Sequence, residues 1–280
     1  MLFRSKGLAG SKVQASSDTS NVEALWMNNA KAPFDDIAVR QAAAYSLDRD
    51  AIVKRLFGAI GVTKAQQSFN PPIVSAYADP KGFSGYTKNL GKVKSIMTKA
   101  GYKKSGGYWA KGGTKVSFTL KTTVGNQRRA LTAQILQAAF KQAGFQMKIA
   151  TVEAGDLFGE QLPAGDYEMA LYAQVATTPD PGLCVIFCST NIPSAANDNS
   201  GQNWTATKVK GLDPILEEVD TAALDSQRIK LSKQADLLIG KSVTSLPLDP
   251  LPNILLSKKK IKGISDNAVM GPFARMNYWT

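Results

Sequence analysis

The 280-residue sequence predicts an α/β fold, a sheet whose strands and helices are joined by short connections. Three observations carry that reading. Apolar residues make up 44% of the chain, enough for a sizeable core and too many for wholesale disorder. Between Val116 and Val175, alternating and helical apolar periods take turns as strand, helix, strand, helix, strand, with short connections. No apolar run reaches the roughly 18 residues that a membrane-spanning helix needs.

Each element has a local reason. A Ser-rich opening, SKVQASSDTSN, precedes ALWMN, which reads as a strand entering a folded unit. Asp35 or Asp36 can cap a helix carrying Ile37, Val39, Ala43 and Ala44. Asp48 can cap a second, with Ile52, Val53, Leu56 and Phe57 on one face and Gly58 as its stop. Residues 59–89 are rich in Gly, Pro, Ser and Tyr and read as an extended surface segment. A short helix from Leu90 to Ala100 ends at Gly101, and GYWAKGGTK suggests a hairpin.

Val116, Phe118 and Leu120 alternate as a strand requires. Gln127 to Ala143 has helical periodicity through Ala130, Leu131, Gln134, Ile135, Ala138 and Ala139, and stops at Gly144. Strands follow at Phe145–Val152 and Tyr167–Val175, with a short helix from Asp156 ending before Pro163. Asp213 and Ser226 can cap two more helices. LPLDPLPNILLSKKK returns as an apolar extended strand, and the aromatic tail GPFARMNYWT is expected to pack. No internal repeat or long linker divides the chain.

Charge and composition narrow the function. The net charge is +12, and Lys81 to Lys121 holds ten lysines and no Asp or Glu. Such a face attracts nucleic acid or an anionic membrane, or is simply solvated. It lacks the interleaved arginines that usually read phosphate and bases. Histidine is absent, which excludes Ser-His-Asp and Cys-His catalysis within the chain. The acids of Asp35-Asp36 and Glu217-Glu218 are sequence neighbours and do not share a helix face, so neither is an acid–base pair. ADLLIGKS, Ala235 to Ser242, loosely resembles a phosphate-binding loop. Its first half reads as a helix end, where the dipole favours cations.

ATTPDPGLCVIFC, Ala176 to Cys188, leaves the third strand of the central series at its C-terminal end. Open α/β sheets bind ligands at that edge, so this loop is a candidate binding element. Cys184 and Cys188 are the only cysteines. Without histidine they are too few for an ordinary structural zinc site. They are either a local disulfide or two buried thiols.

LWMNNAKAPFDDIAVRQAAAYSLDRDAIV closely resembles a segment of the extracellular solute-binding proteins of the peptide/nickel type, family 5, the receptors of oligopeptide and dipeptide ABC importers. ALTAQILQAAFKQAGFQMKI, GDYEMALYAQVATTPDPG, LPLDPLPNILLSKKKIKG and GPFARMNYWT agree with that family in order. The resemblance implies a periplasmic-binding-protein-like type II lobe, a mixed sheet flanked by helices. Mature members are much longer and have two lobes joined by two crossing strands, so this chain looks like the C-terminal portion of a truncated two-lobe receptor. Residues 33–247 would be the second ligand-binding lobe. Residues 1–32 would be a remnant of the first lobe and hinge, and residues 248–280 the return hinge strand and a C-terminal piece of the first lobe. MLFRSKGLAG has no apolar stretch for a leader, so the leader is expected upstream of Met1.

The same resemblance implies a binding protein without catalytic residues, metal or cofactor. It would be monomeric, extracytoplasmic, anchored as a lipoprotein in its full-length form, and partnered by ABC permease subunits. Its ligand would be oligopeptide-like or another small polar solute. A basic module for an anionic polymer or membrane surface is the alternative. The implied ligand-binding residues are Gln174, Val175, Ala176, Thr177, Asp180, Asn203 and Trp204. Peptide-binding members carry an Asp where this chain has Thr177, and often a Trp where it has Gln174. Cys188 matches a family cysteine whose partner position is Thr205 here, which leaves Cys184 as its only partner within the chain.

Overall fold

The computed structural model describes residues 9–176 and 180–280. In chain order the elements are β1 (Ser11–Ser16), β2 (Asn21–Met27), α1 (Ile37–Tyr45), α2 (Arg49–Phe57) and α3 (Leu90–Lys99). A small meander follows, β3 (Lys103–Ser105), β4 (Tyr108–Lys111) and β5 (Thr114–Lys115). Then come β6 (Ser117–Thr123), α4 (Gln127–Ala143), β7 (Gln146–Val152), the single turn α5 (Ala154–Asp156) and β8 (Met169–Val175). The chain closes with α6 (Cys184–Phe187), α7 (Leu212–Thr221), α8 (Asp225–Ser242), β9 (Ser245–Asp249) and β10 (Asn253–Lys258).

Local chemistry starts and stops these elements where the sequence predicts. Asp36 accepts from Ala38 N at 2.8 Å and Asp48 from Ala51 N at 2.9 Å, each satisfying an orphan donor of its helix. Gly144 ends α4 at φ 92°, a conformation that costs glycine little.

Five strands form one sheet in the order β7–β6–β8–β2–β9. β6 runs parallel to β7 and β8, while β2 runs antiparallel to β8 and β9. One edge therefore gathers the C-terminal ends of β6, β7, β8 and β9 with the N-terminal end of β2. The pairs Asn21–Val175, Glu23–Asp249 and Thr123–Val152 fix that register. β1 and β10 form a separate antiparallel ladder beyond this edge, with Ser16 opposite Asn253. The core centres on Trp26, which stacks on Tyr172 (centroids 5.0 Å, interplanar 14°) and packs against Phe69.

Several expectations need correction. Residues 59–89 are not merely a surface segment. Phe69, Val74 and Phe83 are buried, and the guanidinium of Arg49 stitches the segment to β9. It donates to the carbonyls of Gln66 (2.7 Å), Phe83 (2.8 Å) and Pro247 (2.8 Å). Burial pushes its pKa down to about 10.

α4 buries Thr132, Ala133, Leu136, Phe140 and Ala143, while Leu131 is exposed. Alanines on both faces blur the helical period, and the bulk of Phe140 decides which side faces the sheet. Asp213 does not cap α7; it lies in the first turn and accepts from the Ser189 backbone N–H and hydroxyl. Ser226 lies inside α8, whose N-cap position is Leu224. The apolar return is broken by Pro250 and Pro252 into β9 and β10. The tail is tied back by reciprocal backbone bonds between Lys262 and Thr280, yet Met270, Phe273, Met276 and Tyr278 stay exposed. ADLLIGKS lies wholly within α8, with Asp236 buried, and forms no phosphate cradle.

Candidate functional site

The edge where four strands end opens into a cavity of about 1200 Å³. The loop Thr123–Gln127 forms one wall, with Arg128, Leu131, Phe158 and Arg55 around it. The geometry follows from β6 handing over to α4. Asn126 caps α4 by accepting from Arg129 N at 3.0 Å, which sets Arg128 and Arg129 in the first turn beside the strand ends.

Two cations at a helix N-terminus oppose the dipole and need a counter-charge. Glu23 on β2 supplies it from a fully buried side chain. It accepts from Arg129 Nε at 2.7 Å and from Arg128 Nη2 at 3.1 Å. Arg129 Nη1 also donates to Thr123 Oγ1 at 2.9 Å. Arg129 is thus held at several points and is structural. Arg128 lines the cavity, and its Nη1 is buried without a hydrogen-bond partner among the described residues.

Asp249, at the end of β9, faces Glu23 across the ladder and is fully buried. Its Oδ1 accepts from Leu251 N at 3.0 Å, and its Oδ2 has no partner among the described residues. Burial, and then the Glu23 charge, push its pKa up to about 7. The arrangement sets a cation in the wall of an open cavity, with its one unpaired nitrogen buried behind that wall, which suits attraction of an anionic group.

The residues singled out in the sequence have different settings. Gln174, Val175 and Ala176 end β8 at this edge; Val175 is exposed, and Ala176 N donates to Ser20 O at 2.9 Å. Thr177 lies outside the described residues. Asp180 is exposed and ion-paired with Arg228, which also sits over the Tyr77 ring.

Cys184 and Cys188 are joined by a disulfide across the one-turn helix α6. Asn203 is fully buried and turned inward. Its amide donates to the carbonyls of Cys188 and Thr207, both at 3.0 Å, and accepts from Thr205 Oγ1 and Thr207 N. It therefore clamps the loop and does not present an amide to solvent. Trp204 is half-buried, 6.2 Å from Phe158 between ring centroids, and so backs a residue of the cavity wall.

Sequence reasoning missed Arg128, Arg129, Glu23, Phe158 and Asp249. One signal was present: a lone acid inside the apolar run NVEALWM needs a buried partner. A second cavity of about 850 Å³, with Lys208, Lys210 and Lys241 in its lining, lies beside Asn29 and Thr244 at the opposite edge. Among the described residues no group of His, Cys, Asp and Glu could hold a metal ion, and no helix is long and apolar enough to cross a membrane.

Over residues 4–191 the chain matches the model of a family described as bacterial extracellular solute-binding proteins, family 5 middle. It is 26% identical over 245 residues to the dipeptide-binding protein of Escherichia coli, covering 87% of this chain and 43% of that protein. It is 24% identical over 255 residues to the heme-binding protein A of Haemophilus influenzae, covering 90% and 43%. Its fold superimposes on the oligopeptide-binding protein AppA of Bacillus subtilis in complex with a nonapeptide. That match has a TM-score of 0.83 and 23% identity, covering 97% of this chain and 52% of that one. The chain thus spans about half the length of the relatives it matches.

Proposed function

Because the chain belongs to the bacterial extracellular solute-binding proteins of family 5, we propose that it is the C-terminal half of an ABC importer's receptor. Residues 33–247 form one ligand-binding lobe. Residues 1–32 and 248–280 contribute the hinge and pieces of the first lobe, a division that the separate β1–β10 ladder supports. The ligand is oligopeptide-like or another small polar solute, and it offers an anionic group to Arg128. Gln174, Val175 and Ala176 form the neighbouring wall of the cleft. Asp180 and Asn203 hold the wall in shape.

The observation that carries this reading is the open cavity lined by Arg128, whose Nη1 has no partner among the described residues, at the same edge from which β1 and β10 leave. Function is closure of two lobes on a solute, without turnover, metal or cofactor, followed by delivery to permease subunits. The whole receptor is a monomer working outside the cytoplasm, held at the membrane by an anchor.

The test compares N-acetyl-trialanine with its C-terminal amide in thermal-shift and calorimetric titrations. The acid at about a hundred times its dissociation constant should stabilise the chain by roughly 2.7 kcal/mol. The amide should do much less, and Arg128→Ala should erase the difference. Equal binding of acid and amide would refute the role of Arg128. The alternative, a basic module, draws on exposed Lys81, Lys94, Lys99 and Lys103. Several neighbours are already engaged, Lys92 and Lys104 over aromatic rings and Lys111 near Asp36. A steep fall of oligonucleotide affinity with salt would favour that alternative.

A further inference from the structure

Three charged residues from three distant parts of the chain meet behind the cavity wall: Glu23 on β2, Arg128 on α4 and Asp249 on β9. Arg129 completes the group. Glu23 is already committed, accepting from both arginines. Asp249 is different. It is fully buried, pairs directly across the ladder with Glu23, and keeps one carboxyl oxygen without a partner among the described residues. Arg128 lines the cavity, and its Nη1, buried behind the wall, has no partner among the described residues. A charge change at Asp249 is felt by Arg128, because a buried site screens poorly.

Resting on the anion-capturing reading above, we propose that Asp249 is a specificity-determining residue of this cavity. Its protonation state sets the net charge behind Arg128, so capture of an anionic group weakens as pH rises through neutrality.

The charges follow from the groups present. With Asp249 neutral, the cluster of Glu23, Arg128 and Arg129 carries one net positive charge, and an incoming carboxylate completes it. With Asp249 ionised, the cluster is already balanced, and a further anion meets no surplus cation. Burial and the adjacent Glu23 carboxylate keep the proton on Asp249 up to about pH 7, with Arg128, Leu251 N and Arg129 pulling the other way. The other cations facing this region come from α2. Arg49 donates from Nη1 and Nη2 to the Pro247, Gln66 and Phe83 carbonyls and to Gln67, its buried Nε has no partner among the described residues, and Arg55 lines the cavity itself. Asp249 does not touch the ligand in this account; it acts through Arg128.

The test titrates N-acetyl-trialanine, whose only ionisable group is its carboxylate, into the full chain at about pH 6 and about pH 8. Native protein and Asp249→Asn are compared; the amide mimics the neutral acid and keeps the fold. If the bound anion raises the Asp249 pKa by about one unit, native affinity falls about five-fold between the two conditions. Asp249→Asn should stay at the tight level at both. Carbon-13 carboxyl NMR on the free protein gives a second readout, in which Asp249 should titrate near neutrality.

Binding with the same pH dependence in both proteins overturns the inference and leaves anion capture standing. So does an Asp249 resonance that titrates in the ordinary carboxylate range. No binding of the acid by either protein at either pH refutes the anion-capturing reading itself, and this inference falls with it.

Discussion

Removing the charge of Glu23 while keeping its shape, Glu23→Gln, tests the buried cluster most directly. The native carboxylate is fully buried and accepts at 2.7 Å from Arg129 Nε and at 3.1 Å from Arg128 Nη2. Breaking a buried ion pair by removing one partner costs about 3–5 kcal/mol, because the surviving charge is left uncompensated. The arginine side chains keep 16% and 12% of their exposure, so some solvation survives and the lower end applies, ~3 kcal/mol. For a chain of this size that is a drop in Tm of roughly 6–12 °C.

The loss should also depend on pH. Glu23 is one of the two causes that raise the Asp249 pKa. In Glu23→Gln that cause disappears, so Asp249 ionises more readily and supplies the arginines with a counter-charge. At about pH 8 this replacement is complete, and at about pH 5.5 it is partial, so the deficit should be larger in acid. Urea and thermal unfolding of both proteins at the two pH values read the difference. A variant within about 2 °C of the native Tm at both pH values would refute the claim that the ion pair holds α4 to β2. A large deficit that is equal at the two values would refute the coupling to Asp249.

Three further outcomes follow from the packing and the buried acids. Gly240→Ala should lose about 1–3 kcal/mol in urea unfolding despite alanine's better helix propensity, because a Cβ would stand 2.1 Å from Gly82 O and force α8 off the Pro80–Gly82 turn. Native stability should fall as pH rises from about 4 through about 7. Asp236 and Asp249, both raised to about 7 mainly by burial, hold their protons longer folded than unfolded, so their contribution is full below the unfolded value and lost above the folded one. Asp236→Asn should remove up to about 1.4 kcal/mol per pH unit from that slope. The Cys184–Cys188 bridge closes only a sequence separation of 4, so its reduction should cost about 2 kcal/mol or less, read as a small drop in Tm on adding reductant.

Local elements were legible in the sequence because their causes lie within one turn of chain. Asp36 and Asp48 cap the helices they precede, and Gly144 stops α4, through hydrogen bonds and backbone freedom that need no distant partner. The order of strands and helices from β6 to β8 was legible for the same reason, since apolar period distinguishes the two states. Of the candidate site, the position of the end of β8 at the C-terminal edge of the parallel strands was legible from the strand order.

Asn203 could not be read correctly, because an amide looks the same whether it faces solvent or clamps two carbonyls. The face of α4 was also hidden, since alanine is apolar enough for either side and only contact with the sheet chooses one. The sequence by itself determined most of the strands and helices and the starts of α1 and α2, but not those of α7 and α8, where Asp213 and Ser226 lie inside the helices. Tertiary structure alone decided the site: Glu23 and Arg128 are 105 residues apart and meet because β2 lies beside β8 at the edge where α4 begins. Charges at that separation have no periodicity to announce them. They become a site only when burial removes the water that would otherwise screen each one.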